Sequence, residues 1–173
     1  PMQSMDPNTL NQIKRKNLPE QDQIDHIRAI QKRGKTATTE LIMPLPGETE
    51  ESYFEGLKFL MNHGVVAQTY TTMQLCGAEL GRDVAIKKYG LKSKYRILPK
   101  QFGNYRGKKV LEIEQVCIST NTMSFQSYLK CRNHSLIVRL LSQHIFSPVH
   151  KLTEKFSVRW YDLTREIAKI VQS

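Results

Sequence analysis

The sequence predicts an α/β protein in two parts: parallel strands joined by helices over residues 1–80, then a basic segment and a mostly helical extension over 81–173. Three observations predict it. A β-branched, apolar run from Thr36 to Leu45 closes on the turn dipeptide Pro46-Gly47, a helix with its own N-cap starts at Thr49, and a second strand pattern runs from Val65 to Leu75. Strand, helix and strand at these loop lengths make neighbouring parallel strands, with the helix packed on their outer face.

Each element has a local cause. Asp6 before Pro7 is an N-cap followed by a proline that tolerates the first helical position, and Leu10 and Ile13 repeat at helical spacing, so a short helix is expected to run to about Asn17. Ile24, Ile27 and Ile30 recur in a polar background before Gly34, a C-terminal glycine cap. After Thr49, Glu50 and Glu51 suit the positive end of a helix dipole, and Phe54, Leu57, Leu60 and Met61 form one face before Gly64. In the second strand, Gln68, Tyr70, Thr72 and Gln74 share a polar face. Beyond Gly81 the pattern predicts a short helix to about Tyr89, a basic stretch with Pro99, Gly103 and Gly107, and a short element around Val110 to Ile118. A helix from Ser124 to Ile145, broken by Pro148, and a final helix marked by Phe156, Trp160, Leu163, Ile167 and Ile170 complete the chain.

The chain has 173 residues and 39% hydrophobic composition, enough for a core in one domain. No run approaches the roughly 20 apolar residues of a membrane helix, and the first residues lack the pattern of a signal peptide, so a cytoplasmic protein without a membrane partner is expected. Cys76, Cys117 and Cys131, spaced by 41 and 14, fit neither a disulfide framework nor a zinc site. His134, His144 and His150 show no metal-ligand spacing, and His63 beside Gly64 reads as a cation at a helix C-terminus. The net charge of +10 is concentrated: between Arg82 and Lys109 stand ten Lys or Arg and one acid, Asp83. Such a block suits contact with a polyanion. The chain begins at Pro1 with a strand-like pattern already running, which predicts a fragment of a longer protein.

Two segments carry the functional signal. One is Gln3-Ser4-Met5-Asp6, with Leu10 and Lys14-Arg15-Lys16-Asn17 downstream; the other runs from Glu40 through Pro44-Leu45-Pro46-Gly47-Glu48-Thr49 to Ser52. In order and spacing they resemble the later strands of the radical S-adenosylmethionine enzymes, most closely members that often carry an N-terminal cobalamin-binding domain. The resemblance weakens through Gly77-Ala78-Glu79-Leu80 and Leu98-Pro99-Lys100-Gln101-Phe102-Gly103. It implies the C-terminal part of a partial (β/α) TIM-type barrel, completed by an N-terminal part outside this chain. By the same resemblance, Arg15 pairs with the carboxylate of S-adenosylmethionine, Gln3 faces the cofactor from a strand end, and Glu40 accepts hydrogen bonds from the ribose. Ile42 touches adenine, with Met73 as a further adenine contact. The family's cofactors are S-adenosylmethionine and a 4Fe-4S cluster, with cobalamin in the subfamily. The C-x-x-x-C-x-x-C loop that binds the cluster is absent from these 173 residues, so the cluster ligands are expected outside the chain and the fragment alone is expected to be inactive.

Other readings of the same residues stand beside these. Arg15 also suits a solvated helix end, Pro46-Gly47 a plain βα turn, and the polar strand face an exposed sheet edge. Glu40, in an apolar strand, needs either a pocket or a buried partner. The basic block over residues 82–109, interleaved with Tyr89, Tyr95, Phe102 and Tyr105, supports an alternative function as a nucleic-acid or polyanion-binding module. The apolar faces of residues 120–173 allow a third, a helical interaction domain.

Overall fold

The structure, a computed structural model, describes residues 2–172, without the side chains of His144 and Gln172; Pro1 and the reading attached to it lie outside the described residues. The elements in chain order are α1 (Pro7–Gln12), α2 (Glu20–Lys32), β1 (Thr38–Met43), α3 (Glu50–Asn62), β2 (Val66–Thr71) and α4 (Asp83–Tyr89). They continue with β3 (Lys92–Tyr105), β4 (Lys108–Ser119), α5 (Phe125–Leu141), α6 (Ser147–Lys155) and α7 (Trp160–Gln172).

β1 and β2 pair in parallel, with Glu40 opposite Gln68 and Ile42 opposite Tyr70. Period-two alternation sorts β1 into two faces. Thr39, Leu41 and Met43 are buried, and Leu41 and Met43 enter a core with Tyr53, Phe54, Leu57 and Leu60 of α3. Tyr128 and Cys131 of α5 and Tyr161 of α7 close the far side of that core. The other face of β1, carrying Glu40 and Ile42, is left for the site. On the side of β1 away from β2, the Ile42 amide donates to the Gln3 carbonyl at 2.9 Å, so the N-terminal segment adds a short third line of pairing. The described part is mixed α/β with a small parallel sheet and no closed barrel.

The helix starts follow their sequence signals. Asp6 accepts from the Thr9 amide at 2.7 Å, and Thr49 exchanges hydrogen bonds with Ser52 in a capping box. The helices depart from expectation in several places, α5 ending at Leu141 rather than Ile145 and α7 starting at Trp160 rather than near Phe156. α1 stops at Gln12 rather than near Asn17, and a separate helix, α6, fills residues 147–155, with Pro148 in its first turn instead of only breaking its predecessor.

The largest departure lies in the basic segment. β3 and β4 form a long antiparallel hairpin where the sequence predicts an irregular stretch and one short element. Its turn is Arg106-Gly107, both at positive φ, between the paired Tyr105 and Lys108. That is the two-residue turn that matches strand twist, but arginine stands where the recognisable turn sequences have Asn or Asp. A register shift between Ile97 and Phe102, with Lys100 at φ 66°, interrupts the alternation further. β4 joins the hairpin to the parallel pair: past β2, the Cys117 amide donates to the Thr72 carbonyl at 2.8 Å and the Gln74 amide to the Gln115 carbonyl at 2.9 Å.

Candidate functional site

The free face of β1 and β2 floors a cavity of about 780 Å³, within the range of about 300–1,000 Å³ of small-molecule sites. Gln3, Arg15, Glu40, Ile42 and Met73 all line it. Tyr70 continues the floor from β2, Tyr89 of α4 stands on one side, and Arg96, Leu98 and Glu114 wall it from the hairpin. Sequence reasoning misses the hairpin wall because it misses the hairpin.

The chain around Arg15 is fixed at both ends. The Arg15 amide donates to the Leu10 carbonyl at 2.8 Å and the Lys14 amide to the Asn11 carbonyl at 3.1 Å, with Lys14 at φ 56°. This is a Schellman termination, which turns the chain sharply after α1. Two residues on, the Asn17 side chain donates to the Ser4 carbonyl at 2.9 Å and pins the run back to the N-terminal segment. Arg15 therefore leaves the helix just past its end, rather than from within a helix reaching Asn17. Its neighbour Lys14 pairs with Glu79 at 2.7 Å, and this contact lifts the lysine and lowers the carboxyl relative to their ordinary values.

Glu40 is exposed on the cavity face, so the difficulty of burying a lone carboxylate does not arise there. Among the described residues, neither Arg15 nor Glu40 makes a side-chain hydrogen bond or ion pair. Gln3 and Ile42 are half-buried. Met73 lies beyond β2 rather than within a strand reaching Leu75, in an antiparallel bridge to Val116. The expected polar face of that strand divides: Gln68 and Tyr70 are exposed, with the Tyr70 hydroxyl donating to Gln68 Oε1 at 2.9 Å, whereas Thr72 and Gln74 are buried. Thr72 Oγ1 donates to the Pro44 carbonyl at 2.7 Å and ties the end of β1 to the chain after β2.

The two motif segments meet at a residue that sequence reasoning does not single out. Ser4 Oγ donates to Glu48 Oε1 at 2.9 Å, and the Thr122 hydroxyl donates to the Glu48 carbonyl at 2.8 Å, so Glu48 joins the segment carrying Gln3, the β1–α3 turn and the loop before α5. The residue is 2% exposed, and burial pushes its carboxyl up to about 8, against the weaker opposing effect of the Ser4 hydrogen bond. Gly47, in the same turn, has φ +86° and backs onto α1: a Cβ there would lie 3.2 Å from Asn8 Nδ2 and Gln12 Cγ. A β-carbon is disfavoured there by backbone conformation and by space together.

The thiols do not assemble a cluster site. Cys76 is exposed, Cys117 and Cys131 are buried, burial raises both buried thiols, and no metal-ligating group of three or more residues occurs among the described residues. No described helix is long and apolar enough to cross a membrane. No family model matches the chain, and no curated protein matches it.

Proposed function

We propose that this chain contributes part of an S-adenosylmethionine pocket to a radical S-adenosylmethionine enzyme. The observation that carries the reading is the gathering of Gln3, Arg15, Glu40, Ile42 and Met73 around one cavity beside the C-terminal end of β1, the end at which sites of α/β barrels lie. The donor set suits the ligand. Arg15 offers an unpaired guanidinium fork for a carboxylate, Glu40 an unpaired acceptor for ribose hydroxyls, and Ile42 with Met73 apolar surface for a base. In such an enzyme a 4Fe-4S cluster, held by residues outside this chain, would supply the electron for reductive cleavage of the bound S-adenosylmethionine. The described residues supply no ligand set for that cluster, so this chain's part is to bind and orient the cofactor.

Titration of the chain with S-adenosylmethionine, followed by calorimetry, tests the reading. Arg15→Ala is expected to weaken binding roughly tenfold to a hundredfold, the equivalent of a charge-assisted hydrogen bond worth about 1.5–3 kcal/mol. Arg15→Lys should fall between, keeping the charge but losing the planar fork. Equal affinity of wild type and Arg15→Ala would remove the assignment.

A further inference from the structure

We propose that the outer face of the β3–β4 hairpin is a binding surface for single-stranded nucleic acid. The inference does not rest on the cofactor reading. Pairing register sorts the ribbon into two faces. Arg96 and Glu114 face each other as an ion pair on the side that walls the cavity. The opposite side carries Tyr95, Ile97, Ile113, Leu111 and Phe102, joined by the pairs Ile97–Ile113 and Phe102–Leu111. These five side chains are between 58% and 74% exposed, an apolar stripe with nothing packed over it among the described residues.

Charge and geometry select the occupant. The hairpin has seven Lys or Arg and two carboxylates, Glu112 and Glu114, and alternation places both carboxylates on the inner side. Lys109 shares the outer face with Leu111 and Ile113, while Lys100 at the register shift and Arg106 in the turn stand exposed beside the stripe. A cationic surface free of carboxylates that carries exposed rings meets the two demands of a nucleic-acid strand, phosphate contacts and stacking platforms. Tyr95 pairs with Gln115 and Phe102 with Leu111, so four residues of β4 separate the rings, about 14 Å at the rise of a strand and about four steps of a base stack. A second copy of the chain fits less well, because like-charged ribbons would face each other. Strand addition at the free edge of β3 is opposed by Pro99 and by Lys92, Lys94 and Lys100.

Fluorescence anisotropy with labelled oligothymidylate and oligouridylate, at about 50 to 200 mM salt, is the test. The chain is expected to bind both, with affinity falling steeply as salt rises. Tyr95→Ala and Phe102→Ala should each weaken binding by roughly tenfold with the salt slope unchanged. Combining Lys100→Gln, Arg106→Gln and Lys109→Gln should instead flatten the log–log slope by about 0.7 for each phosphate no longer neutralised. All five side chains are exposed, so circular dichroism should show every variant folded. Neither Tyr95 nor Phe102 lines the cavity, so their replacement should leave the S-adenosylmethionine titration unchanged and either reading can fail alone. The proposal is overturned by absence of binding at the lowest salt or by ring variants that bind as wild type does. Displacement of the probe by polyglutamate as effectively as by unlabelled oligonucleotide would also overturn it, in favour of an acidic polypeptide partner.

Discussion

Glu48 and His134 are buried ionisable groups with opposite effects on how stability follows pH. Glu48, pushed up to about 8, keeps its proton in the folded state while the unfolded chain releases it above the ordinary value near 4.5. Its contribution is therefore fully favourable below that value and is lost as pH rises towards 8, with a slope of up to about 1.4 kcal/mol per pH unit. His134 is fully buried between Phe54 and Tyr161, and burial lowers it to about 4, with the nearby Arg165 charge adding to the effect. Thr164 donates its hydroxyl to the Tyr161 carbonyl at 2.9 Å, so it accepts from His134 Nε2–H at 3.0 Å and holds the neutral ring. Protonation of the unfolded chain then removes stability as pH falls from 6.5 towards 4. Between 4.5 and 6.5 the two slopes oppose; above 6.5 only that of Glu48 remains. Urea unfolding across this range should show wild-type stability falling from pH 6.5 to 8 and Glu48→Gln largely abolishing the fall. Parallel curves for the two proteins would refute this account of Glu48. None of this is legible in the sequence. Glu48 stands inside a recognised segment and His134 in a helical pattern, but the burial of Glu48 depends on the N-terminal segment and the loop before α5 meeting the β1–α3 turn, and that of His134 on α3, α5 and α7 meeting, which no local pattern encodes.

Helix ends show where local sequence is informative. α2 and α3 finish at Gly34 and Gly64, both at positive φ, and both ends are legible because glycine marks that conformation. α1 and α6 finish in the same way with Lys14 at φ 56° and Ser157 at φ 54°, and neither residue advertises a left-handed turn. The sequence pattern consequently makes α1 too long, and it leaves α6 unassigned because Pro148 reads as a breaker rather than as a first-turn residue. After α6, the Val158 amide donates to the Thr153 carbonyl at 2.8 Å and the Ser157 amide to the Glu154 carbonyl at 3.1 Å, so the motif is fully formed with a residue that disfavours it. Ser157→Gly is expected to raise stability by roughly 0.5–1 kcal/mol through relief of the left-handed backbone, partly offset by greater freedom in the unfolded chain. Denaturant midpoints measure it, and a lower midpoint for the glycine variant would contradict the reading. The hairpin is hidden for the same kind of reason, since Arg106-Gly107 is a turn by geometry and not by its usual residues.

At the scale of the whole molecule, the parallel β1–α3–β2 unit is legible because periodicity, capping and turn chemistry agree over one continuous stretch. Four of the five candidate side chains, Gln3, Arg15, Glu40 and Ile42, are legible only through the spacing of two separated segments, Met73 coming from the following strand, and the two segments are physically joined at Ser4 and Glu48. The hairpin wall is not legible, because long-range antiparallel pairing between residues 92 and 119 leaves little local signal when lysines interrupt the alternation. In the proposed site S-adenosylmethionine lies in this cavity with its adenine over Ile42 and its carboxylate towards Arg15. Isotope-filtered nuclear Overhauser spectroscopy on the labelled chain with unlabelled S-adenosylmethionine reads that arrangement directly. Cross-peaks are expected from the adenine protons to the Ile42 methyl groups and from the methionyl α-proton to the Arg15 side chain. Cross-peaks from adenine to residues outside the cavity, with none to Ile42, would contradict that arrangement.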